Sequence, residues 1–425
     1  MLRLGAYAWL YFLLSIPRHR SFQLAPHTIK VGEIQLGSSH PVRVMGVLNL
    51  SPESFYSGSV ASTEEQIRER VELYESEGAD IIDIGGASSA PESVYGTRTV
   101  TEDHELERVV SSLGVIRQKT DLPLSIDTTS SKVAERAVEL GASLVNDISG
   151  LRKDPNMAKT VADFDVPVII MAMCEKPCTN VTESIHALRE SIQIAEDAGV
   201  DDGKLIVDPG IGFGKPARAD CALLRELPRF AMFGHPVLVG VSRKAFIGEL
   251  LGLSDPEDRL IGSVAATSIA VARGADVIRA HDISEAKTAA SVGEGLRSTL
   301  RWSGENMELV NIHDEREAEI VIEQVGVQSG IRQALSRKAV TLNLLLRNVR
   351  TPAALIIKQE MLALGGDAAY HHDTIDSGVD RTDVLVMGTP IHFERLVRKL
   401  SGMNYFGIEK TAVGVQELLS ERERR

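Results

Sequence analysis

Eight apolar runs, separated by amphipathic stretches, constrain the fold of this chain more than any other feature. They cover residues 42–50, 80–86, 122–128, 143–149, 166–174, 204–210, 235–243 and 275–282. Each run is almost continuously apolar and rich in β-branched residues, as expected for strands that a parallel sheet buries on both faces. The stretches between them have helical periodicity, and one of them stops at Gly141. Eight strand–helix units with parallel-type connections predict an α/β fold, a (β/α)8 TIM barrel.

An open, doubly wound sheet is the alternative architecture. It normally has a glycine-rich phosphate turn after the first strand, whereas residues 49–52 of this chain read Asn-Leu-Ser-Pro. We therefore assign residues 27–303 to the barrel. The pattern changes after residue 304, and residues 304–425 are predicted to form a small α/β or α+β C-terminal domain of unknown role. Residues 1–26 are expected to be an N-terminal extension, either disordered or the product of a misassigned start.

The charge of the chain limits its partners. Lys and Arg total 46 against 59 for Asp and Glu, which gives a formal net charge of −13. Because no basic stripe offsets this charge, neither nucleic acid nor an anionic membrane surface is an expected partner. The apolar segment at residues 4–17 is too short to span a bilayer comfortably. An anionic substrate would need a local concentration of basic side chains.

The cysteines provide no disulfide framework. There are three, Cys174, Cys178 and Cys221, and an odd and sparse set of this kind is typical of a reducing cytosol. A zinc site at Cys174 and Cys178 lacks a second cluster of ligands. We therefore expect ordinary thiols and a cytoplasmic protein.

Polar side chains collect at the ends of the predicted strands, where barrels of this type carry their chemistry. Any one of them also fits an ordinary structural role, such as capping a helix or fixing a loop. Their concentration at one rim favours a functional site. The set comprises Asn49, Asp83, Asp127, Asn146, Asp147, Asp208, Ser242, Arg243, Lys244, Arg279, His281 and Asp282.

The first half of this rim offers hydrogen-bond acceptors. Asp127, Asn146 and Asp208 follow strands three, four and six. Carboxylate and amide groups in this arrangement could hold a flat heterocycle that presents several N–H donors.

The second half is basic. Lys244, Arg279 and His281 follow strands seven and eight, which are neighbours in a closed ring, and they suit a diphosphate or a similar anion. Asn49 follows strand one, next to strand eight. Its amide could reach the same anion or a metal ion bound to it.

Two other motifs are rejected as sites. Residues 208–216, DPGIGFGKP, lack the spacing of a P-loop, and their glycines more simply allow a sharp turn beside a ligand. The His371-His372-Asp373 segment has the residue types of a metal site but no further ligands nearby in the sequence.

These segments together resemble the dihydropteroate synthase family of pterin-binding TIM barrels, in an archaeal-like variant with a C-terminal extension. The resemblance spans roughly residues 42–302 and keeps the family order. The matching segments are 46–55 (GVLNLSPESF), 83–86 (DIGG), 125–128 (SIDT), 146–148 (NDI), 208–215 (DPGIGFGK), 242–244 (SRK) and 279–282 (RAHD).

The resemblance implies a transferase that condenses a (7,8-dihydropterin-6-yl)methyl diphosphate with an arylamine and releases diphosphate. Catalysis would be mainly electrostatic, with Mg2+ as a cofactor and a homodimer as the assembly. The implied pterin ligands are Asp127, Asn146, Asp208 and Lys244, with Ser242 also at the substrate. Arg279 would stack on the pterin and touch the diphosphate, His281 and Asn49 would bind the diphosphate, and Asn49 would also contact the metal. The implied catalytic residues are Lys244, Arg279 and His281.

Departures from the family pattern fall in the arylamine half. The family's second loop usually reads Gly-Gly-Glu-Ser-Thr-Arg-Pro, but residues 85–91 read Gly-Gly-Ala-Ser-Ser-Ala-Pro. Ala245 replaces a serine that helps to hold the aminobenzoate carboxylate, and Ala172 replaces a histidine. The acceptor is therefore either p-aminobenzoate or, as in tetrahydromethanopterin biosynthesis, a ribofuranosyl-aminobenzene phosphate.

Two rival functions fit part of the pattern. Methyltetrahydrofolate–corrinoid methyltransferases share the pterin-holding positions but do not need the basic residues Lys244 and Arg279. A non-catalytic pterin-binding protein would explain the altered loops but not the retained leaving-group residues.

Overall fold

The computed structural model describes residues 28–51, 60–87, 100–174, 177–297, 303–304, 307–308, 312, 314–376 and 378–424. The described residues divide into two compact units, one that ends at Gly304 and one that lies beyond it. The predictions for residues 1–26 and for the loops at 52–59 and 88–99 lie outside the described residues. Within the described part of the chain, no helix is long and apolar enough to cross a bilayer.

The first unit is the predicted (β/α)8 barrel. After a hairpin of β1 (Ile29–Val31) and β2 (Ile34–Leu36), one strand forms in each of the eight apolar runs. These strands are β3 (Arg43–Asn49), β4 (Ile81–Gly85), β5 (Leu124–Asp127), β6 (Leu144–Asp147), β7 (Val168–Met171), β8 (Leu205–Asp208), β9 (Leu238–Val239) and β10 (Val277–Ala280). They pair in the order β8-β7-β6-β5-β4-β3-β10-β9. A parallel bridge from Val207 to Val237 joins the two ends of this order.

Helices follow the strands around the barrel. They are α1 (Glu64–Ser76), α2 (Glu102–Arg117), α3 (Ser131–Glu139), α4 (Met157–Asp163), α5 (Val181–Asp197), α6 (Ala217–Arg225), α7 (Pro228–Ala231), α8 (Ala245–Leu251), α9 (Leu260–Ala272) and α10 (Ile283–Leu296), with 3-10 turns at Asp202–Lys204 and Pro256–Arg259. Local sequence explains their starts. Thr63 and Gln66 form a capping box at α1, and Asn180 accepts a hydrogen bond from the Glu183 backbone at α5.

Apolar side chains close the N-terminal end of the barrel. The β1–β2 hairpin contributes Ile29, Val31 and Leu36, all of them buried. They join one cluster with inward-facing residues of seven barrel strands: Met45, Ile81, Leu144, Ile169, Ile206, Leu238 and Val277. Since this end is filled by apolar side chains, the polar residues at the opposite end of the strands mark where a site can form.

The C-terminal unit mixes helices and strands, as predicted. The first unit ends with β11 (Ser303–Gly304). The elements of the C-terminal unit are β12 (Met307–Glu308), α11 (Glu315–Gln324), α12 (Ser329–Ala339), β13 (Leu342–Arg350), α13 (Thr351–Leu364), β14 (Asp367–Tyr370), a 3-10 turn at His372–Thr374, β15 (Arg381–Gly388), α14 (Pro390–Leu400) and α15 (Ile408–Arg424). The antiparallel sheet has the order β13-β15-β14. Its core contains Ile357, Met361, Val384, Val386, Phe393 and Leu400.

Two glycines of α10 provide a test of how closely this helix packs against α9. A Cβ on Gly293 would lie 2.6 Å from Cβ of Val271 and 2.7 Å from the Ser268 carbonyl oxygen, whereas a Cβ on Gly295 would meet nothing within 4 Å. Gly293→Ala should therefore destabilise the protein by about 1–3 kcal/mol through overpacking. Gly295→Ala should be neutral or stabilise it by up to about 1 kcal/mol through helix propensity. Chemical denaturation measures both, and equal effects of the two substitutions would contradict the close crossing of the helices.

Candidate active site

Strand register brings three predicted rim residues, Asn49, Asp127 and Asn146, to one level together with Gly85. Asn49 pairs with Gly85, Gly85 pairs with Asp127, and Asp127 pairs with Asn146 across β3 to β6. A Cβ on Gly85 would lie 3.5 Å from Oδ1 of Asn49 and 4.0 Å from Cβ of Asp127. The absence of a side chain at Gly85 therefore leaves space between Asn49 and Asp127 at the C-terminal end of the barrel.

Arg279 on β10 reaches across β3 to two carboxylates. Its Nε donates to Oδ2 of Asp83 at 2.6 Å, and its Nη2 donates to Oδ2 of Asp127 at 2.7 Å. Burial alone would lower the pKa of Arg279, but the charges of Asp83 and Asp127 outweigh it and raise the pKa overall. The guanidinium is therefore a permanent positive charge inside the mouth of the barrel.

Asp83 connects this ion pair to Asn146. Oδ2 of Asp83 also accepts a hydrogen bond from Nδ2 of Asn146 at 3.2 Å, and the Asp83 side chain is fully buried. Within the described residues, Oδ1 of Asp83 has no hydrogen-bond partner. A buried polar atom left in this state typically costs about 1–3 kcal/mol. Such a cost is more common at functional sites than elsewhere.

Asp208 lies at the end of β8 and begins the glycine-rich loop. Its Oδ1 accepts a hydrogen bond from the Gly210 backbone at 2.7 Å. Burial raises the pKa of Asp208, while the Gly210 hydrogen bond and the charge of Lys244 oppose that shift. The carboxylate is thus fixed by its own loop and faces the positive charges of the site.

Lys244 follows β9 and lies over the glycine loop. Its Nζ is 4.1 Å from the centroid of the Phe213 ring. Burial, followed by the charge of Arg279, lowers the pKa of Lys244 to about 8, and Asp208 acts in the opposite direction. Lys244 is therefore a cation at neutral pH whose charge can be lost under mildly alkaline conditions.

Ser242 and His281 form the remaining pair of the site. Oγ of Ser242 lies 2.9 Å from Nδ1 of His281 and accepts a hydrogen bond from the His281 backbone at 3.3 Å. Burial, together with the charges of Arg279 and Lys244, lowers the pKa of His281 well below its ordinary value. His281 is consequently uncharged at neutral pH. The sequence predicts that His281 belongs to the basic half of the rim, but in the structure it can contribute only hydrogen bonding.

The two halves of the rim lie within electrostatic reach of each other. The charges of Lys244 and Arg279 both act on Asp208, and both act on His281. The network of Arg279 includes Asp127 and, through Asp83, also Asn146. The structure therefore brings the predicted site residues together at one mouth of the barrel.

The charge of Arg243 also acts on His281, but its side chain makes hydrogen bonds to other groups. Its guanidinium forms a bidentate pair with Asp282, at 2.9 and 2.7 Å, and donates to the carbonyls of Pro256 and Glu257. Its backbone has φ of +57°. Arg243 therefore fixes the turn after β9. The sequence alone could not distinguish this structural role from a role in the site, because Arg243 is adjacent to Lys244.

Asp147 also has a structural role. Its two carboxylate oxygens accept hydrogen bonds from the backbones of Ser149 and Leu151, at 2.7 and 3.0 Å. It thereby holds the turn that follows β6.

The expectation of ordinary thiols at Cys174 and Cys178 was wrong. The two residues form a disulfide after β7, with their Cα atoms 5.6 Å apart, and Cys221 is the free cysteine. The cysteine-based argument for a reducing cytosol therefore loses its support, and the cytoplasmic location stays a prediction.

The His371-His372-Asp373 segment lies in the C-terminal unit, at the start of the 3-10 turn His372–Thr374. Its potential ligand atoms lie within 4.8 Å of one another. His372 Nε2 pairs with Asp373 Oδ1 at 2.9 Å.

Sequence reasoning missed several charged groups that support the site. Lys215 donates to the Gly210 carbonyl at 2.5 Å, and Asp220 accepts from the Gly212 backbone at 2.8 Å. Glu105, on α2, accepts from Oγ1 of Thr128 at 2.6 Å, next to Asp127. The position of Lys215 in the glycine-rich segment was the feature that could have indicated its role. Asp220 and Glu105 lie in helical stretches, where nothing in the sequence separates them from surface carboxylates.

The sequence matches the pterin binding enzyme family over residues 45–281. A dihydropteroate synthase of Clostridium beijerinckii is 40% identical over 267 residues, covering 62% of this chain and 97% of the relative. The chain belongs to the dihydropteroate synthase family. It is a transferase of that type, as the sequence resemblance implied.

Solved structures agree with this assignment. The dihydropteroate synthase of Xanthomonas albilineans with 4-aminobenzoic acid is 39% identical, with a TM-score of 0.58 over 65% of this chain and 99% of that one. The same enzyme in complex with 7,8-dihydropteroate is 38% identical, with a TM-score of 0.56 over 64% of this chain and 99% of that one. The family match ends inside the barrel, before the C-terminal unit begins.

Proposed function

We propose that this chain joins the methylene carbon of a (7,8-dihydropterin-6-yl)methyl diphosphate to the nitrogen of an arylamine. The C–O bond to diphosphate breaks, and its electron pair leaves with the diphosphate. The arylamine nitrogen then forms the new C–N bond and loses a proton. The observation that carries this proposal is the proximity of acceptor groups on β5, β6 and β8 to the cations Lys244 and Arg279 in a single network.

The acceptor groups are suited to the pterin. Asp127, Asn146 and Asp208 present carboxylate and amide groups from three strands, and a flat ring with several N–H groups can satisfy them together. Asp208 is held by the Gly210 backbone and Asp127 by Arg279, so both are oriented before a ligand arrives. Such preorganisation lowers the entropic cost of positioning the methylene carbon.

The cations are suited to the leaving group. Departure of diphosphate moves negative charge toward the mouth of the barrel, where Arg279 is permanently charged and Lys244 is charged at neutral pH. Stabilising charge that develops in the transition state is usually the largest contribution to catalysis of this kind. His281, which is neutral, and Ser242 would add hydrogen bonds rather than charge.

Magnesium fits the residues at the edge of this network. Mg2+ prefers oxygen ligands and usually binds through one or two protein groups together with phosphate oxygens and water. Asn49, whose Oδ1 lies beside Gly85, would supply such an oxygen. When bound, the ion would neutralise part of the diphosphate charge.

A diphosphate-release assay tests the proposed function. The purified chain with the pterin diphosphate, Mg2+ and an arylamine should release diphosphate, and Lys244→Met should lower kcat/KM by about 100-fold or more, because it removes the charge but keeps the packing of the stem. Lys204→Met is the matched control, since Lys204 donates to the Asp165 carbonyl away from the site. Release unaffected by Lys244→Met would refute the assignment. Methyl transfer to a corrinoid, or tight pterin binding without release, would favour the rival functions.

The acceptor is the second part of the proposal. Ala245 is the first residue of α8, directly after Lys244, and it cannot donate the hydrogen bond that a serine gives to a carboxylate. We propose that this site accepts an arylamine without a carboxylate, a ribofuranosyl-aminobenzene phosphate, as well as or in place of p-aminobenzoate.

Competition between the two arylamines tests the acceptor. The parent should use the ribofuranosyl-aminobenzene phosphate with the higher kcat/KM, and Ala245→Ser should raise kcat/KM for p-aminobenzoate by about tenfold, the value of roughly one hydrogen bond to a charged group. Strong preference of the parent for p-aminobenzoate, unchanged by Ala245→Ser, would exclude the methanopterin-type acceptor.

We also propose a homodimer. Helices α8, α9 and α10 pack in sequence around the barrel and expose a group of large apolar side chains, which on a folded domain marks an interaction surface. The most exposed of them is Ile261, at 83%. The others are Leu250, Leu251, Ile269, Val292 and Leu296.

Substitution at this surface tests the dimer. Ile261→Glu should convert the dimer into a monomer in analytical ultracentrifugation, because a charge at the interface would lose its hydration. Leu73→Glu, at an exposed apolar position on α1, is the control and should leave the mass unchanged. A parent that sediments as a monomer at micromolar concentration would rule out this assembly.

A further inference from the structure

Asp220 is a buried carboxylate to which the proposed reaction gives no role. It lies in the first turn of α6 and is 2% exposed. Its Oδ1 accepts a hydrogen bond from the Gly212 backbone at 2.8 Å. A charge removed from water in this way is costly unless a nearby partner compensates it, so its surroundings indicate what it does.

The residue that Asp220 holds lies directly beneath Lys244. Gly212 has φ of +80°, and a Cβ there would be 2.5 Å from Cδ of Lys244 and 3.1 Å from its Cγ. The Lys244 stem therefore lies against the bare backbone of Gly212, with Nζ over the ring of Phe213. Any shift of Gly212 would move the surface that supports Lys244.

Asp220 also acts on the charge of Lys244. Besides Asp220, the charges of Asp208, Lys215 and Arg279 act on Lys244, and Lys244 in turn acts on the titratable side chain of His281. Asp208 and Asp220 favour the protonated amine, while Lys215 and Arg279 oppose it. Burial together with Arg279 lowers the pKa of Lys244, and the two carboxylates limit that decrease.

Groups around Asp220 act on its pKa in opposite directions. Burial raises the pKa of Asp220, and the Gly212 hydrogen bond and the charges of Lys215 and Lys244 counteract this. Glu249, on the neighbouring helix α8, adds to the increase. The thiol of Cys221, the next residue, also feels the Asp220 charge.

We infer that Asp220 is a positioning residue for Lys244, which fixes the Gly212 backbone under its stem and supplies a counter-charge for its amine. The catalytic consequence rests on the proposed function, but the effect on Lys244 does not. Asp220 touches no substrate in this account and acts through the glycine loop and through charge.

Two substitutions separate the parts of this role. Asp220→Asn keeps an oxygen that can accept from Gly212 but removes the charge, whereas Asp220→Ala removes both. Asp201→Asn is the matched control, because Asp201 accepts a hydrogen bond from the Gly203 backbone at 2.8 Å in the exposed turn before β8. The control makes the same substitution in the same kind of aspartate–glycine hydrogen bond, but at a distance from Lys244.

The first measurement does not depend on activity. Only the unprotonated amine reacts with acetic anhydride, so the pH dependence of Lys244 acetylation, followed by mass spectrometry, reports its pKa. A carboxylate raises the pKa of a lysine, so Asp220→Asn should move the midpoint for Lys244 to lower pH by about one unit. Asp201→Asn should leave it unchanged. An equal midpoint in Asp220→Asn and the parent, or an equal shift in the control, would overturn the inference.

The second measurement is the pH profile of kcat/KM for diphosphate release. Activity that needs protonated Lys244 falls as pH rises through its pKa of about 8. In Asp220→Asn this alkaline limb should move to lower pH, with kcat/KM near pH 6 within about twofold of the parent. Asp220→Ala should show the same shift of the alkaline limb and should also lose about tenfold in kcat/KM near pH 6, because Gly212 is released as well.

The outcomes separate the two proposals. A parent that releases no diphosphate would refute the proposed function, but the acetylation midpoints would still test Asp220. A parent that is active, with profiles of Asp220→Asn and Asp220→Ala that match its own, would refute the role of Asp220 alone. Because Asp220→Asn is nearly isosteric, it carries the test even if Asp220→Ala fails to fold.

Discussion

The ion pairs of Arg279 with Asp83 and Asp127 are the interaction on which the site depends. They link β10 to β4 and β5 through the barrel interior, at 2.6 and 2.7 Å. Removing one partner of a buried pair typically costs about 3–5 kcal/mol, because the remaining charge is left without compensation. The same contacts that orient Asp127 therefore also hold three strands of the barrel in their relative positions, and the site cannot be separated from the fold that carries it.

The sequence predicts the barrel well because its strands are buried on both faces. Such strands have continuous apolar runs, which differ from the 3.6-residue periodicity of an amphipathic helix. The pattern occurs eight times, and each run contains one strand. The rim residues were found for a related reason, since a polar side chain directly after such a run must lie at a strand end. In the C-terminal unit, β14 escaped prediction because Asp-Ala-Ala-Tyr has little strand propensity of its own. It forms through its pairing with β15.

The sequence could not predict which partner each side chain contacts in the folded protein. Arg243 and Lys244 are adjacent, yet one holds Asp282 and the other lies over Phe213. Cys174 forms a disulfide with Cys178, and Asp220 reaches from α6 to the backbone of Gly212 in the glycine loop. Such contacts depend on how segments pack in three dimensions, whether they are near or distant in sequence, so a pattern along the chain does not record them.

The distribution of charge in the site has a consequence for how it handles an anion. The sequence places Lys244, Arg279 and His281 in the basic half of the rim. Arg279 is always charged but is already paired with two carboxylates, and His281 is neutral. Lys244 is the cation whose protonation responds to its neighbours, and buried carboxylates on both sides of the glycine loop sustain its charge. The net positive charge available to a diphosphate is therefore small. A divalent cation bound as we propose, with Asn49 as a ligand, would therefore add positive charge that these side chains do not supply.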